Sequence, residues 1–214
     1  MANYHRSPKP MVTLIAGSSD DSTKYRVHKE FACHSSPVFR TAFNSNFIEG
    51  QTQTYRLEDT RDRTVSLLVQ WIYNNDTYVT DDDVGYVDLV ALWILADKLC
   101  MPRLQNKVID KLSKRTPKSG SQRAMIASLE MIYNQTESKS QLQKFAVEIC
   151  ALHVTPDDIR EAPELFPAEF LVDYADRLYR HFHTALAKRA FDASRYHVSV
   201  GKESKSPKTE GSVD

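Results

Sequence analysis

The stretch YRVHKEFACHSSPVFRTAFNSNFIE, residues 25–49, decides the fold. It opens on a β-prone triplet, Tyr25-Arg26-Val27, and reaches Ser35-Ser36-Pro37, where Ser36 can cap a helix and Pro37 can sit at its first position. Val38, Phe39, Ala42 and Phe43 then recur at helical spacing, so a helix with one apolar face packs on a sheet. Phe47-Ile48-Glu49 follows, in what reads as the loop leaving that helix.

Working outward, Val12 to Ala16 is a short strand closed by Gly17-Ser18-Ser19-Asp20-Asp21, which makes Tyr25 to Val27 its antiparallel partner. Gln51 to Thr54 leads into a third strand around Tyr55 to Leu57. Val65, Leu68, Val69 and Ile72 then repeat at three and four residues, which predicts an amphipathic helix over Asp62 to Tyr73, ended by Asn74-Asn75-Asp76. A further helix is expected from about Asp88 to Leu99, with Leu89, Leu92, Trp93 and Ala96 on one face. Pro102 opens another, carrying Leu104, Val108 and Leu112.

Thr116-Pro117-Lys118-Ser119-Gly120-Ser121 reads as a linker, and beyond it helices are expected at Gln122 to Tyr133, Gln141 to Leu152 and Ala168 to Lys188. Thr155-Pro156-Asp157-Asp158 has the cap, first-turn proline and acidic start of a short extra helix. The expected organisation is therefore a flexible arm (1–10), an α/β domain with a small sheet flanked by helices (11–114), an all-α extension (122–190) and a disordered tail (191–214).

Composition excludes several functions. Lys plus Arg and Asp plus Glu stand at 28 each, so no global field draws the chain to nucleic acid or an anionic membrane. Cys33, Cys100 and Cys150 are an odd number within apolar periodic segments, which reads as free buried thiols in a reducing compartment. Met1 to Pro10 carries no apolar signal segment, and the longest apolar run, Leu89 to Ala96, is far short of a bilayer span. A cytoplasmic or nuclear protein is expected. The N-x-T matches at Asn75 and Asn134 then have no consequence.

No chemistry-bearing constellation is complete. His28, Cys33 and His34 offer imidazole and thiolate, but no CxxC or spaced HxxxH supplies a four-ligand zinc set. Cys100 and Cys150 fall on apolar helical faces, where burial raises a thiol pKa and removes access. No Gly-rich phosphate loop exists, and Asp81-Asp82-Asp83 reads as a solvated loop. The expectation is no catalytic residue, no metal and no cofactor.

The spaced order of hairpin, His28-Lys29, Ser36-Pro37-Val38-Phe39, Phe43, Phe47-Ile48-Glu49, third strand and Leu67-Leu68 to Ile72-Tyr73 resembles the BTB/POZ domain, from about Met11 to Leu112. Ala96, Asp97 and Leu99 fit the family's later helix. The resemblance implies structural roles for His28, Lys29, Ser36, Val38, Phe39, Phe43, Tyr73 and Asp97. It also implies a non-enzymatic protein-interaction module, of a kind that often serves as adaptor between the cullin-3 scaffold of ubiquitin ligases and a target protein.

Phe47, Ile48 and Glu49 match a hydrophobic-x-Glu signature of cullin-binding members and are the expected partner-binding residues. The overall layout is similar to filamentous-fungal members with a helical extension. The alternative is a self-associating scaffold or transcription-associated protein with no cullin contact. Pro10-Met11 stands where many members have an acidic residue, and the arm is short and holds Pro8 and Pro10. A monomer or weak dimer is expected, with no nucleic-acid or membrane partner.

Overall fold

The computed structural model describes residues 9–18, 22–74, 84–115 and 119–186. The chain divides into two units, Met1–Leu178 and Tyr179–Asp214. In the first, strands β1 (Met11–Ala16) and β2 (Thr23–His28) pair antiparallel, with Val12 opposite Val27 and Leu14 opposite Tyr25. Strand β3 (Thr54–Leu57) lies parallel to β1 on its other side, giving the order β2-β1-β3. Alternation sends Val12, Leu14 and Ala16 into the core. Gly17, at φ 83, takes the left-handed exit that a side chain would disfavour.

Between β2 and β3 stand three short helices, α1 (Lys29–Ser35), α2 (Pro37–Phe43) and α3 (Ile48–Thr52). Of these, α2 is the helix expected behind Pro37. The first was not expected, because Ala32 is the one residue it buries and a single apolar contact leaves no period to read. The third corrects the reading of residues 47–49 as loop: Phe47 is its N-cap, and Ile48 and Glu49 form its first turn.

Helix α4 (Asp62–Asn74) is amphipathic as its spacing requires, with Val65, Leu68 and Ile72 buried. In α5 (Tyr86–Lys98), Leu89, Val90, Leu92, Trp93, Ile94, Leu95 and Ala96 are all buried. Burial thus extends well beyond the single face of Leu89, Leu92, Trp93 and Ala96 expected from the sequence, as suits a helix apolar nearly all round. Its end is a reversal in which the N–H of Met101 reaches the carbonyl of Ala96 and that of Cys100 reaches Asp97, with Cys100 itself at φ 53.

Helix α6 (Pro102–Lys114) follows, then α7 (Ser119–Ala127), α8 (Leu129–Gln135), α9 (Gln141–His153), α10 (Pro156–Glu161), a 3-10 turn (Pro163–Leu165) and α11 (Ala168–Leu186). The single helix expected over Gln122 to Tyr133 is two, broken at Ser128, whose hydroxyl donates to the carbonyl of Ala124 at 2.7 Å. The cap read at Thr155 is present. Its hydroxyl accepts from the N–H of Asp158, and the Asp158 carboxylate takes the Thr155 N–H in return.

One apolar core joins the elements around the sheet to the later helices. It runs from Val12 through α5 to Met125, Ile132, Leu142, Cys150, Phe170 and Tyr174. Residues 19–21 of the expected turn, the segment 75–83 with Asn75 and Asp81 to Asp83, residues 116–118 of the expected linker, and everything beyond 186 lie outside the described residues.

Candidate functional site

The site is built from α2 outward. Ser36 is fully buried. Its hydroxyl accepts from the N–H of Phe39 at 3.2 Å and donates to the carbonyl of Leu99 at 2.7 Å, 63 positions along the chain. One side chain thus starts α2 and ties it to the end of α5. Phe39 and Phe43 are buried on the resulting face and meet Tyr55 of β3 edge-on, with ring centroids 5.2 and 6.3 Å away. Val38 packs against the same core half-buried.

The far end of α2 is closed by two donors from elsewhere. Lys29 Nζ and the Gln53 amide both donate to the carbonyl of Phe43, at 2.8 and 3.0 Å, so Lys29 supplies positive charge at a helix C-terminus. Gln53 sits at φ 50, ends α3 and gives its own carbonyl to the N–H of Thr13 in β1. Between them, α3 crosses so close to the chain leaving α2 that a Cβ on Gly50 would stand 1.9 Å from the carbonyl oxygen of Ser45. Only glycine permits that approach.

This frame fixes the corner at 47–49. The Phe47 N–H donates to the Ser45 hydroxyl at 3.2 Å, and its carbonyl accepts from the N–H of Gln51 at 3.0 Å. The backbone is held while the side chains are not covered: Phe47 is 72 % and Ile48 64 % exposed. Glu49 is half-buried. Burial first and the Glu49 charge second push the Tyr55 phenol above its ordinary pKa. Two uncovered apolar side chains thus stand beside an acidic residue on a backbone held by hydrogen bonds.

His28 and Tyr73 meet at the end of β2. The Tyr73 hydroxyl lies 2.8 Å from His28 Nδ1 and accepts the His28 N–H at 3.1 Å. Phe31 of α1 completes a set of three rings, each pair edge-to-face, with Lys9 over Phe31 and also paired with Glu30. Asp97 accepts from the Gln105 amide at 2.9 Å, joining α5 to α6. The residues singled out in sequence thus fall into groups: Ser36, Phe39, Phe43 and Lys29 lie along α2, His28 meets Tyr73, and Asp97 bonds to α6.

The thiols differ from expectation. Cys150 is buried, which pushes it up to about 12, but Cys100 is exposed in the turn after α5 and Cys33 is half-buried. The expectation for Cys100 fails because a left-handed reversal, not another helical turn, occupies its position. Among the described residues no group of three His, Cys, Asp or Glu side chains converges to hold a metal ion, and no helix is long and apolar enough to cross a membrane.

Three residues of this corner went unread in the sequence: Gly50, Gln53 and Tyr55. Gly50 carried the one available signal, a glycine directly after Phe47-Ile48-Glu49, which marks close backbone approach. In comparison with known families, residues 11–116 fit the model of the BTB/POZ domain. No curated protein matches the chain.

Proposed function

Residues 11–116 of this chain are a BTB/POZ domain, a protein–protein interaction module, and from that premise we propose that it is a non-enzymatic adaptor that docks a cullin-3-type scaffold through Phe47, Ile48 and Glu49. The observation that carries the reading is the exposure of Phe47 and Ile48 on a backbone held by Ser45 and Gly50. Ordering these residues gains the fold little, since neither side chain is buried. An aromatic anchor presented on a prearranged corner suits a helical partner, because less order is lost on binding. The helices from α7 to α11 would then hold a target protein or extend the same contact, in the cytoplasm or nucleus.

The experiment is a calorimetric titration of the purified full chain with the N-terminal domain of cullin-3. Saturable one-to-one binding is expected, and absence of heat at about 100 µM of each partner would contradict the cullin assignment.

One observation favours the alternative, a self-associating scaffold: Phe31 and Tyr73 are 38 % and 40 % exposed and stack edge-to-face with His28, a second set of exposed rings. Light scattering separates the readings. A monomer or weak dimer is expected, and a tight dimer at micromolar concentration would favour the scaffold.

A further inference from the structure

The sheet has a second face. Alternation turns Thr13, Ile15, Lys24, Arg26, Thr54 and Arg56 away from the core. The register sets Lys24 and Arg56 on either side of Ile15, and Arg26 beside Thr13. With strands about 4.8 Å apart and same-face residues about 7 Å apart along a strand, three cations share a patch roughly 10 Å across. All three are exposed, and no ion pair among the described residues involves them. Glu58 lies past the end of β3. Ile15 is only 5 % exposed although it points outward, as expected where long basic side chains lay their stems over an apolar neighbour.

The backbone of β2 adds an independent feature. The N–H of Thr13 donates to Gln53 and that of Gly17 to Leu57, so odd-numbered residues of β1 turn their polar groups to β3 and even-numbered ones to β2. In the antiparallel pairing Thr23, Tyr25 and Val27 therefore face β1, while Lys24, Arg26 and His28 turn N–H and C=O outward. Tyr73 takes the His28 N–H. Among the described residues, no hydrogen bond meets those of Lys24 and Arg26.

Charged residues on an outer strand commonly guard it against unwanted pairing. That accounts for Lys24 and Arg26. Arg56 sits on the other outer strand, β3, and can serve the same purpose; what guarding leaves unexplained is that all three cations share one face of a sheet whose strands carry no carboxylate. We infer that β2 receives an extended acidic segment of a partner protein. Its main chain pairs with Lys24 and Arg26, and its alternate Asp or Glu side chains lie over the cations. Arg56 raises the positive potential over the face.

The test uses the full chain and a fluorescein-labelled heptapeptide of alternating Glu and Val, read by fluorescence anisotropy. Saturable binding is expected, weakening as salt rises. The triple variant Lys24→Gln, Arg26→Gln, Arg56→Gln, checked for folding by circular dichroism, should bind about tenfold or more weakly. Hydrogen exchange on the unaltered chain should show the amides of Lys24 and Arg26 protected by the peptide, a readout that stands even if the triple variant does not fold. The inference is overturned if the peptide fails to bind, if the folded triple variant binds it as well, or if an equally acidic peptide with a central proline binds equally. An alternating Lys and Val peptide that binds as tightly would overturn it too.

Discussion

Phe39 and Phe47 stand eight residues apart in the same stretch, and the structure treats them oppositely. Phe39 is fully buried against Phe43 and Tyr55, at the helix start that Ser36 builds, whereas Phe47 is 72 % exposed at a corner whose backbone is hydrogen-bonded to Ser45 and Gln51. Both belong to short motifs by which the sequence resembles its family. The difference teaches that residues of one motif can be split between core and surface, and it is the surface one that we propose serves a partner. Phe39 explains itself by the core it fills. Phe47 contributes little to folding, so its chemistry is available for recognition.

The comparison can be broken first at its buried half. Phe39→Ala should cost about 3–5 kcal/mol in denaturant unfolding, since the ring lies in a closed core; a cost below 1 kcal/mol would mean that the helix can collapse onto the gap. Ser36→Ala comes next, expected at roughly 1–3 kcal/mol in the same measurement. It removes a cap and leaves the carbonyl of Leu99 without its donor.

Gly50→Ala sharpens the other half, because the clash it creates is with the backbone of Ser45 and must displace α3. A loss of about 1–3 kcal/mol is expected, with amide shifts concentrated at residues 45–53. A variant that kept both its stability and its spectrum would show that the corner is not held as described.

The smallest expected effect is electrostatic. Asp62 is held below its ordinary value first by the hydrogen bond from the Tyr25 hydroxyl, 2.6 Å long, and then by Thr23. A carboxyl whose folded pKa is depressed adds stability that is present above its unfolded value and lost as pH falls through the folded one. The melting temperature should therefore decline from about pH 4 downward, and Asp62→Asn should flatten a small part of that decline. An unchanged acid limb in the variant would remove the Tyr25 contact from the account.

How much of this was legible follows from the range of each interaction. The α2 cap, the Thr155 box and the period of α4 are local signals, and each was readable. Helix α1 was not, since Ala32 alone anchors it, and the break at Ser128 has neither glycine nor proline to announce it. The all-round burial of α5 depends on helices packed from several sides, which no single-face reading can supply. At the corner, the residue types Phe47, Ile48 and Glu49 were visible, but their exposure was not. It rests on Gln53 and Lys29 closing α2 at Phe43, contacts that span 10 and 14 residues.

The central claim is that Phe47 serves a partner and not the fold. The most direct measurement pairs thermal melting with a cullin-3 titration of Phe47→Ala combined with Glu49→Ala. The account predicts binding weakened at least about tenfold, the loss expected when a buried interface aromatic is truncated, with a melting temperature nearly unchanged. A variant that keeps both its stability and its cullin affinity would contradict it.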